Sequence, residues 1–294
     1  MSRLYEALKG ATRKRGDGND QLWDALSIDG METAPEASPS NAPPLPELAP
    51  EAFRNISQAL VDERPNEADF GKEAKAGLDR NARLLPFAAN ATLADHYRRL
   101  RTKILQQREV KPFRSLVITS PSPQEGKTVT CTNLALSFST LPNFKVLVID
   151  GDLRRGTLGN WLGVSDDQLG LSDLFEGTAQ LQDVVLKSNQ VPMHFIVRGK
   201  SEVNDLHQTH FGDHFQRLSE MYDLVLVDSP PVNLLADAQI LAANCDAVLL
   251  VARAFSTTRK SLEKAAQELA SFRIIGSVLN AGVTQRSSKY YGYY

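Results

Sequence analysis

Runs of consecutive apolar and β-branched residues recur through the second half of the chain. Each run is short and bounded by polar or turn-forming residues, which is typical of buried strands. The runs lie at residues 115–119, 145–150, 194–197, 224–228, 247–251 and 274–279. Patterns compatible with helices separate many of them, including residues 128–138 and 257–272. Alternating strands and helices predict βαβ units, and therefore an α/β fold in which a doubly wound, mostly parallel sheet carries helices on both faces.

The first 82 residues lack this alternation. Residues 1–30 begin with a short amphipathic pattern, with Leu4, Tyr5 and Leu8 on one face, and continue as a polar segment. This pattern is compatible with a frayed terminus or with a docking helix for a partner. Residues 31–82 include a stretch rich in proline and small residues, which predicts a mostly disordered linker. We therefore expect an ordered domain at 83–285 and a tyrosine-rich tail at 286–294.

A helix is expected near the start of this domain, capped by Thr92. Its apolar stripe consists of Leu93, Tyr97, Leu100 and Ile104. The basic residues around the stripe are Arg98, Arg99, Arg101 and Lys103. A solvated helix face explains such a cluster, but Arg98 and Arg101 are spaced three apart and would also suit a contact with carboxylates of a neighbouring subunit.

The sequence LVITSPSPQEGKT at 116–128 reads as a strand and a phosphate loop, and a helix follows it. In such a loop the backbone N–H groups and the helix N-terminus attract a polyphosphate. Lys127 adds a full positive charge, and the hydroxyl of Thr128 can bind Mg²⁺. The general motif has glycine five residues before Gly126, where this chain has Pro121.

Aspartates follow two other strands at the point where each strand ends. Asp150 and Asp152 come after the run at 145–150 and precede Arg154, and Asp228 ends the run at 224–228. An open parallel sheet binds its ligand at the carboxyl ends of its strands. Carboxylates there can hold Mg²⁺, and an arginine can offset charge on a phosphoryl group. Asp237 precedes an apolar helical pattern and is interpreted as a helix cap.

Composition narrows the function classes. A formal net charge of -2 gives no basic bias, so nucleic acid is not an expected partner. Two cysteines provide no disulfide framework or metal-ligand spacing, which favours a reducing cytoplasm. The histidines at 207, 210 and 214 have helical spacing but no supporting ligand motif, and we interpret them as exposed or capping residues.

Four of the last five residues are tyrosines that follow the final predicted strand. An exposed aromatic tail could be a docking segment, but phenolic hydroxyls behind a phosphate-binding fold also look like phosphoryl acceptors. Together with the GKT loop and the two aspartate-tipped strands, this cluster resembles the bacterial tyrosine kinases (BY-kinases) that control capsule and exopolysaccharide production. The resemblance covers residues 91–294 and implies a P-loop NTPase-type fold.

The resemblance also implies roles for individual positions. The expected catalytic residues are Lys127, Asp150, Asp152, Arg154 and Asp228. Those expected to bind ATP are Gln124, Glu125, Gly126, Lys127, Thr128, Val129 and Asn280. Those expected to bind Mg²⁺ are Thr128, Asp152 and Asp228. The expected oligomerisation motif is Asp95, Arg98 and Arg101, in which Asp95 replaces a glutamate of the family.

Gln124 is a further departure from the family, which usually has glycine two residues before Gly126. A side chain at this position removes one permissive backbone position from the loop.

The activity implied by the resemblance is ATP-dependent autophosphorylation in trans. The expected phosphoacceptors are Tyr290, Tyr291, Tyr293 and Tyr294. The family also implies a homo-oligomer such as a ring, a membrane-bound polysaccharide chain-length regulator as partner, and exogenous protein substrates. The chain is then expected in the cytoplasm, recruited by that partner to the inner face of the membrane.

Two rival hypotheses remain at this stage. A positioning-type ATPase would switch its dimerisation by hydrolysis, but such proteins carry a signature lysine where this chain has Ser122. A non-catalytic nucleotide-binding adaptor is motivated by Gln124. The tyrosine cluster favours the kinase hypothesis.

Overall fold

The computed structural model describes residues 72–74, 84, 91–188, 192–201 and 211–282. The strands of its sheet are β1 Lys72–Ala74, β2 Ser115–Thr119, β3 Val146–Asp150, β4 Leu186–Ser188, β5 His194–Ile196, β6 Leu224–Asp228, β7 Ala247–Arg253 and β8 Ile274–Asn280. The helices are α1 Ala91–Val110, α2 Lys127–Ser139, α3 Leu158–Trp161, α4 Leu171–Phe175, α5 Leu181–Val184, α6 Phe211–Met221, α7 Asp237–Ala243 and α8 Arg259–Glu268.

The eight strands form one sheet in the order β1-β4-β5-β3-β6-β2-β7-β8. All pairs are parallel except β4 with β5. The predicted doubly wound, mostly parallel α/β fold is confirmed. Since β3, β6 and β2 are adjacent in the middle of the sheet, the three sequence motifs of interest end side by side at one edge.

Helices cover both faces of the sheet, which explains why the central strands are apolar throughout rather than alternating. Every residue of β2, β3 and β6 is buried. On one face, Leu116 and Ile118 pack in a cluster that includes Ile104 of α1 and Phe138 of α2. On the other face, Val117 belongs to a cluster formed with residues of α6, α7 and α8.

One edge of the sheet was not predicted. β1 lies inside the segment expected to be a mostly disordered linker, and β4 is not among the apolar runs that predicted strands. The backbone N–H of Lys72 donates to the carbonyl of Val185 at 3.0 Å, and its ammonium pairs with Asp183 at 2.8 Å. A three-residue strand with the sequence KEA has no apolar pattern, so only its backbone pairing reveals it.

The predicted helix at the start of the domain is confirmed as α1. It buries Tyr97, Leu100 and Ile104, whereas Leu93 packs at the margin of the core. Thr92 lies inside the helix, which begins at Ala91, so the prediction that Thr92 caps it is wrong.

Several predictions fall outside the described residues: the N-terminal amphipathic helix, the proline-rich stretch, the histidines at 207 and 210, and the tyrosine cluster. His214 is described and lies in α6. Among the described residues, no helix combines the length and the hydropathy that a membrane crossing requires.

Candidate functional site

The carboxyl ends of three neighbouring strands bring the predicted site residues together. Asp150 at the end of β3 is paired in register with Asp228 at the end of β6, and Asp228 in turn lies opposite Ile118 of β2. The loop that follows β2 ends at α2, whose first residue is Lys127. The positive end of this helix therefore faces the same edge as the two aspartates.

The loop between β2 and α2 has a left-handed backbone at two positions. Gly126 has φ 92°, and a Cβ atom added to it would lie 1.8 Å from Asn280 Nδ2. A side chain there would be strained by the positive φ and would also have to displace the Asn280 amide. Gln124 also adopts a positive φ, 62°, which costs a non-glycine residue about 1–2 kcal/mol. Gln124, the residue that departs from the family pattern, therefore has a backbone conformation that glycine adopts freely.

Thr128 and Asp228 form the centre of the site. The Thr128 hydroxyl donates a hydrogen bond of 2.6 Å to Asp228 Oδ2. Asp228 is completely buried, and no group in the described part of the chain donates to its Oδ1 atom. Burial raises the pKa of Asp228, while Lys127 and the Thr128 hydrogen bond oppose the rise. A buried carboxylate oxygen without a donor is costly, and a bound cation removes that cost.

The donor set at this centre fits Mg²⁺. No group of three or more His, Cys, Asp or Glu side chains suited to a metal occurs among the described residues. Mg²⁺ does not need one, because it commonly takes one or two protein oxygens and completes its shell with water and substrate phosphates. The Thr128 hydroxyl and the Asp228 carboxylate supply oxygens of that kind.

The aspartates after β3 differ in their surroundings. Asp150 is fully buried and accepts backbone N–H groups at both oxygens, from Asp152 at 3.3 Å and from Leu158 at 3.0 Å. Burial, followed by the charge of Asp228, raises the pKa of Asp150. Asp152 lies 3.6 Å from the Lys127 ammonium. Asp150 thus shapes the loop that leads to α3, whereas Asp152 contacts the charged group of the phosphate loop.

Comparisons with known proteins identify the family. Residues 124–273 match a family model described as an AAA domain. A tyrosine-protein kinase CpsD of Streptococcus agalactiae is 30% identical over 191 residues, which cover 63% of this chain and 82% of that protein. The solved kinase domain of Escherichia coli tyrosine kinase ETK is 32% identical and matches with a TM-score of 0.62, over 72% of this chain and 85% of that domain. The chain belongs to the bacterial tyrosine kinases. It is therefore a nucleotide-binding protein-tyrosine kinase, and the resemblance read from its motifs is confirmed.

Another relative places the match within a larger protein. A tyrosine-protein kinase ptk of Acinetobacter johnsonii is 35% identical over 181 residues, which are 60% of this chain but 24% of that protein. The matched region is therefore the part that this bacterial tyrosine kinase shares with longer relatives.

Arg154 of this kinase is held at the margin of the site by a partner that the sequence did not suggest. Its Nε atom lies 3.1 Å from Asp237 Oδ2, and more than half of the arginine side chain is exposed. The N-cap of α7 is Ala236, so the prediction that Asp237 is a helix cap is wrong. Asp237 instead lies in the first turn of α7 and pairs with the arginine.

The residues of the expected oligomerisation motif make different contacts. Arg98 pairs with Asp95 on the exposed face of α1. Arg101 donates to the backbone carbonyl of Ser137 and, at 2.7 Å, to the Thr140 hydroxyl at the end of α2. Arg101 therefore links α1 to α2 within one chain, while Asp95 and Arg98 remain on the surface.

Asn280 was expected to contact a nucleotide base. Its Nδ2 donates to the carbonyl of Glu125 at 2.9 Å, and its Oδ1 accepts from Ala281 N at 2.8 Å. The amide thus supports the phosphate loop, and its role toward a base stays a prediction.

The residues that support the phosphate loop from the end of β7 were not predicted from the sequence. Glu125 is buried and accepts from Ser122 N at 2.8 Å and from the Thr257 hydroxyl. Arg253 donates to the carbonyl of Gln124 at 2.9 Å. Arg253 ends β7 and Thr257 follows it. Both residues come more than a hundred positions after the loop, and no local sequence pattern connects them to it.

Proposed function

We propose that this kinase binds ATP through residues 124–129 and transfers its γ-phosphoryl group to the tyrosine cluster of a neighbouring subunit. One arrangement supports the proposal above all. Lys127, Thr128 and Asp228 meet at the carboxyl edge of the sheet, and one oxygen of the buried Asp228 has no donor in the described part of the chain.

Each residue at this edge then has a role in binding ATP or Mg²⁺. The N-terminus of α2 and Lys127 attract the phosphates of ATP. Thr128 and Asp228, with Asp152 beside them, would hold Mg²⁺. When bound, Mg²⁺ neutralises charge on the phosphates. Arg154, which pairs with Asp237, supplies a further positive group at the margin, and Asn280 would contact the base of the nucleotide.

The transfer itself forms a bond between the tyrosyl oxygen and Pγ and breaks the bond from Pγ to the bridging oxygen, so that ADP leaves. The phenol has an ordinary pKa of about 10 and needs help to lose its proton. Asp152 is the carboxylate that lies beside Lys127, and it orients the hydroxyl and accepts the proton. The proton then passes to solvent.

The acceptors are Tyr290, Tyr291, Tyr293 and Tyr294. Each phosphate adds a charge of about -1.5 to -2, so phosphorylated tails repel one another and the acidic site. Contacts through Asp95 and Arg98, which are exposed on α1, hold subunits together, and phosphorylation loosens them. The result is a cycle of assembly and release.

The family resemblance extends the proposal to the cell. A membrane-bound chain-length regulator of polysaccharide synthesis recruits this cytoplasmic kinase to the inner face of the membrane. The cycle of assembly and release then regulates polymerisation and export of a capsule or exopolysaccharide. Proteins other than the kinase itself are further substrates.

The test is phosphotyrosine formation by the purified full-length chain with ATP and Mg²⁺. Tryptic mass spectrometry of the wild type is expected to find phosphate on the tyrosine cluster, and Lys127→Met is expected to lose it. Lys111→Met removes an exposed charge at the end of α1 and serves as the matched control. ATP hydrolysis without phosphotyrosine would favour the positioning-type ATPase instead, and undiminished phosphate in Lys127→Met would refute the proposed site.

A further inference from the structure

Two long-range contacts hold the backbone of the phosphate loop from the side of β7 and β8. Arg253, the last residue of β7, donates from Nη1 to the carbonyl of Gln124 at 2.9 Å. Asn280, the last residue of β8, donates from Nδ2 to the carbonyl of Glu125 at the same distance. Two successive carbonyls of the loop are therefore fixed by side chains from neighbouring strand ends.

Fixing these carbonyls also fixes the N–H groups that follow them. A peptide unit is planar and trans, so its C=O and N–H point in opposite directions. The N–H groups of Glu125 and Gly126 are thus turned away from Arg253 and Asn280. Within the described chain no hydrogen-bond acceptor takes up either group. Successive free N–H groups of this kind form a concave binding site for an anion.

A second path connects Arg253 to the same loop. Its backbone N–H donates to the Thr257 hydroxyl oxygen at 2.7 Å, and that hydroxyl donates to the carboxylate of Glu125. The other oxygen of Glu125 accepts from Ser122 N at 2.8 Å. Since Glu125 is buried, this path is shielded from water for much of its length. The end of β7 therefore holds the loop at its side chain as well as at its backbone.

Gln124 is the position where such support matters most. Its φ of 62° is a conformation that a non-glycine residue adopts only when its surroundings impose it. The guanidinium contact is made at the carbonyl of this same residue. If the contact were absent, Gln124 could relax toward negative φ, and the N–H of Glu125 would turn with the peptide plane.

We infer that Arg253 is a positioning residue for the phosphate loop, which holds Gln124 in the left-handed conformation that a glycine would adopt unaided. It acts through the loop backbone and not by contact with the reacting atoms. This inference rests on the proposed role of residues 124–129 as the ATP site. It assigns a function to an exposed arginine outside the expected nucleotide-binding set.

A double-mutant cycle tests the inference on the full-length chain. The four proteins are wild type, Arg253→Met, Gln124→Gly and the double variant, and the probe is a fluorescent ADP analogue with Mg²⁺. In the wild-type background, Arg253→Met should raise Kd about 5- to 20-fold, the size expected for one hydrogen bond from a charged donor. In the Gln124→Gly background the same substitution should raise Kd less than about 2-fold, because glycine adopts positive φ without support.

Controls separate this role from the alternatives. Arg259→Met removes an exposed arginine that pairs with Glu263 on α8, and it should leave Kd unchanged. An equal penalty for Arg253→Met in both backgrounds would overturn the inference, since it would mean direct contact with the nucleotide or general destabilisation. If Arg253→Met does not fold, Arg253→Lys replaces it in the same cycle. The rise in Kd that Arg253→Lys causes should then be about 2- to 5-fold larger in the wild-type background than in the Gln124→Gly background.

Lys127→Met, measured in parallel, distinguishes failure of the inference from failure of the proposed function. If Lys127→Met binds the analogue as tightly as the wild type, the proposed nucleotide site is wrong. If Lys127→Met loses binding while the Arg253 penalty is the same in both backgrounds, the site stands and only the positioning role is wrong.

Discussion

The hydroxyl of Thr128 donates to Asp228 Oδ2 over 2.6 Å, which joins the first turn of α2 to the end of β6. The contact occupies one oxygen of a fully buried carboxylate and leaves the other without a donor in the described chain. Without a bound cation, the buried charge of Asp228 therefore destabilises the fold at the point where the proposed metal binds.

Asp228→Asn should therefore separate stability from function. The amide keeps an oxygen that can accept the Thr128 hydrogen bond but removes the buried charge, so without Mg²⁺ and nucleotide the free energy of unfolding should rise by about 1 kcal/mol. Autophosphorylation should fall at least about 100-fold, because the Mg²⁺ ligand is lost. Urea denaturation in EDTA and phosphotyrosine assays measure the two effects.

A matched control for that experiment is Asp166→Asn, an exposed aspartate in the loop after α3. Asp166→Asn should change neither the free energy of unfolding nor autophosphorylation. Loss of stability together with activity in Asp228→Asn would mean that Asp228 is mainly a structural residue, contrary to the proposal.

Gly126→Ala should weaken nucleotide binding, because the new methyl group would collide with Asn280 Nδ2 and the backbone has a positive φ. Gly177→Ala is a control for the second cause alone, since Gly177 has φ 71° but no atom lies within 4 Å of the added Cβ. Gly177→Ala should cost about 1 kcal/mol of unfolding free energy and leave Kd unchanged.

Gly126→Ala should raise the Kd for a fluorescent ADP analogue more than about 10-fold, since it displaces the side chain that fixes the loop carbonyl of Glu125. Equal and small effects of the two substitutions on binding would show that Asn280 can move aside without consequence for the loop.

The partly buried ring of His194 should make the free energy of unfolding depend on pH. It contacts the Tyr222 hydroxyl at 2.7 Å, and burial, with smaller contributions from Lys187 and Lys145, lowers its pKa from 6.5 to about 4. The unfolded chain therefore binds a proton between pH 6.5 and pH 4 that the folded chain does not. Stability should fall over this window as the pH is lowered, by about 1–3 kcal/mol after allowance for the partial exposure of the ring.

His194→Gln removes the titrating group and should reduce this fall. Urea denaturation of both proteins at pH 7.5, 5.5 and 4.5 measures the difference in slope. An unchanged slope in the variant would assign the pH dependence to other groups.

The two arginines of α1 should behave differently. Arg101→Met loses hydrogen bonds to the carbonyl of Ser137 and the Thr140 hydroxyl, so it should lower the free energy of unfolding by about 1 kcal/mol. Arg98→Met loses only an exposed pair with Asp95 and should have little effect on unfolding.

Sedimentation velocity then tests the proposed subunit contact. If the exposed face of α1 is an interface, Arg98→Met should shift the unphosphorylated kinase toward smaller species while its stability is retained. An unchanged distribution of species would remove Arg98 from the proposed interface.

The core of the fold could be predicted from the sequence because its signals are local. β2, β3 and β6 are continuous apolar runs buried on both faces; β3 and β6 each end in an aspartate of the site, and β2 leads into the phosphate loop. Parallel topology places the ends of such strands along one edge, and the strand order of the structure puts these three side by side. Thr128, Asp150 and Asp228 were therefore found together as expected.

The remaining features depend on contacts that no local pattern encodes. β1 has only backbone pairing to identify it, and Asp237 resembles a helix cap until its partner Arg154 is known. The positive φ of Gln124 could be suspected from the glycine that it replaces, but the support from Arg253 comes from a residue 129 positions away. Such partners become visible only when the sheet brings strand ends together.

The most direct test of the central claim mixes two variants of the full-length kinase. One carries Lys127→Met with its tyrosines intact, and the other has an intact loop but phenylalanine at positions 290, 291, 293 and 294. After incubation with ATP and Mg²⁺, intact-mass spectrometry should find phosphate on the Lys127→Met chain in the mixture and none on that chain alone. Absence of phosphate from that chain in the mixture, while the wild type is phosphorylated, would contradict transfer between subunits.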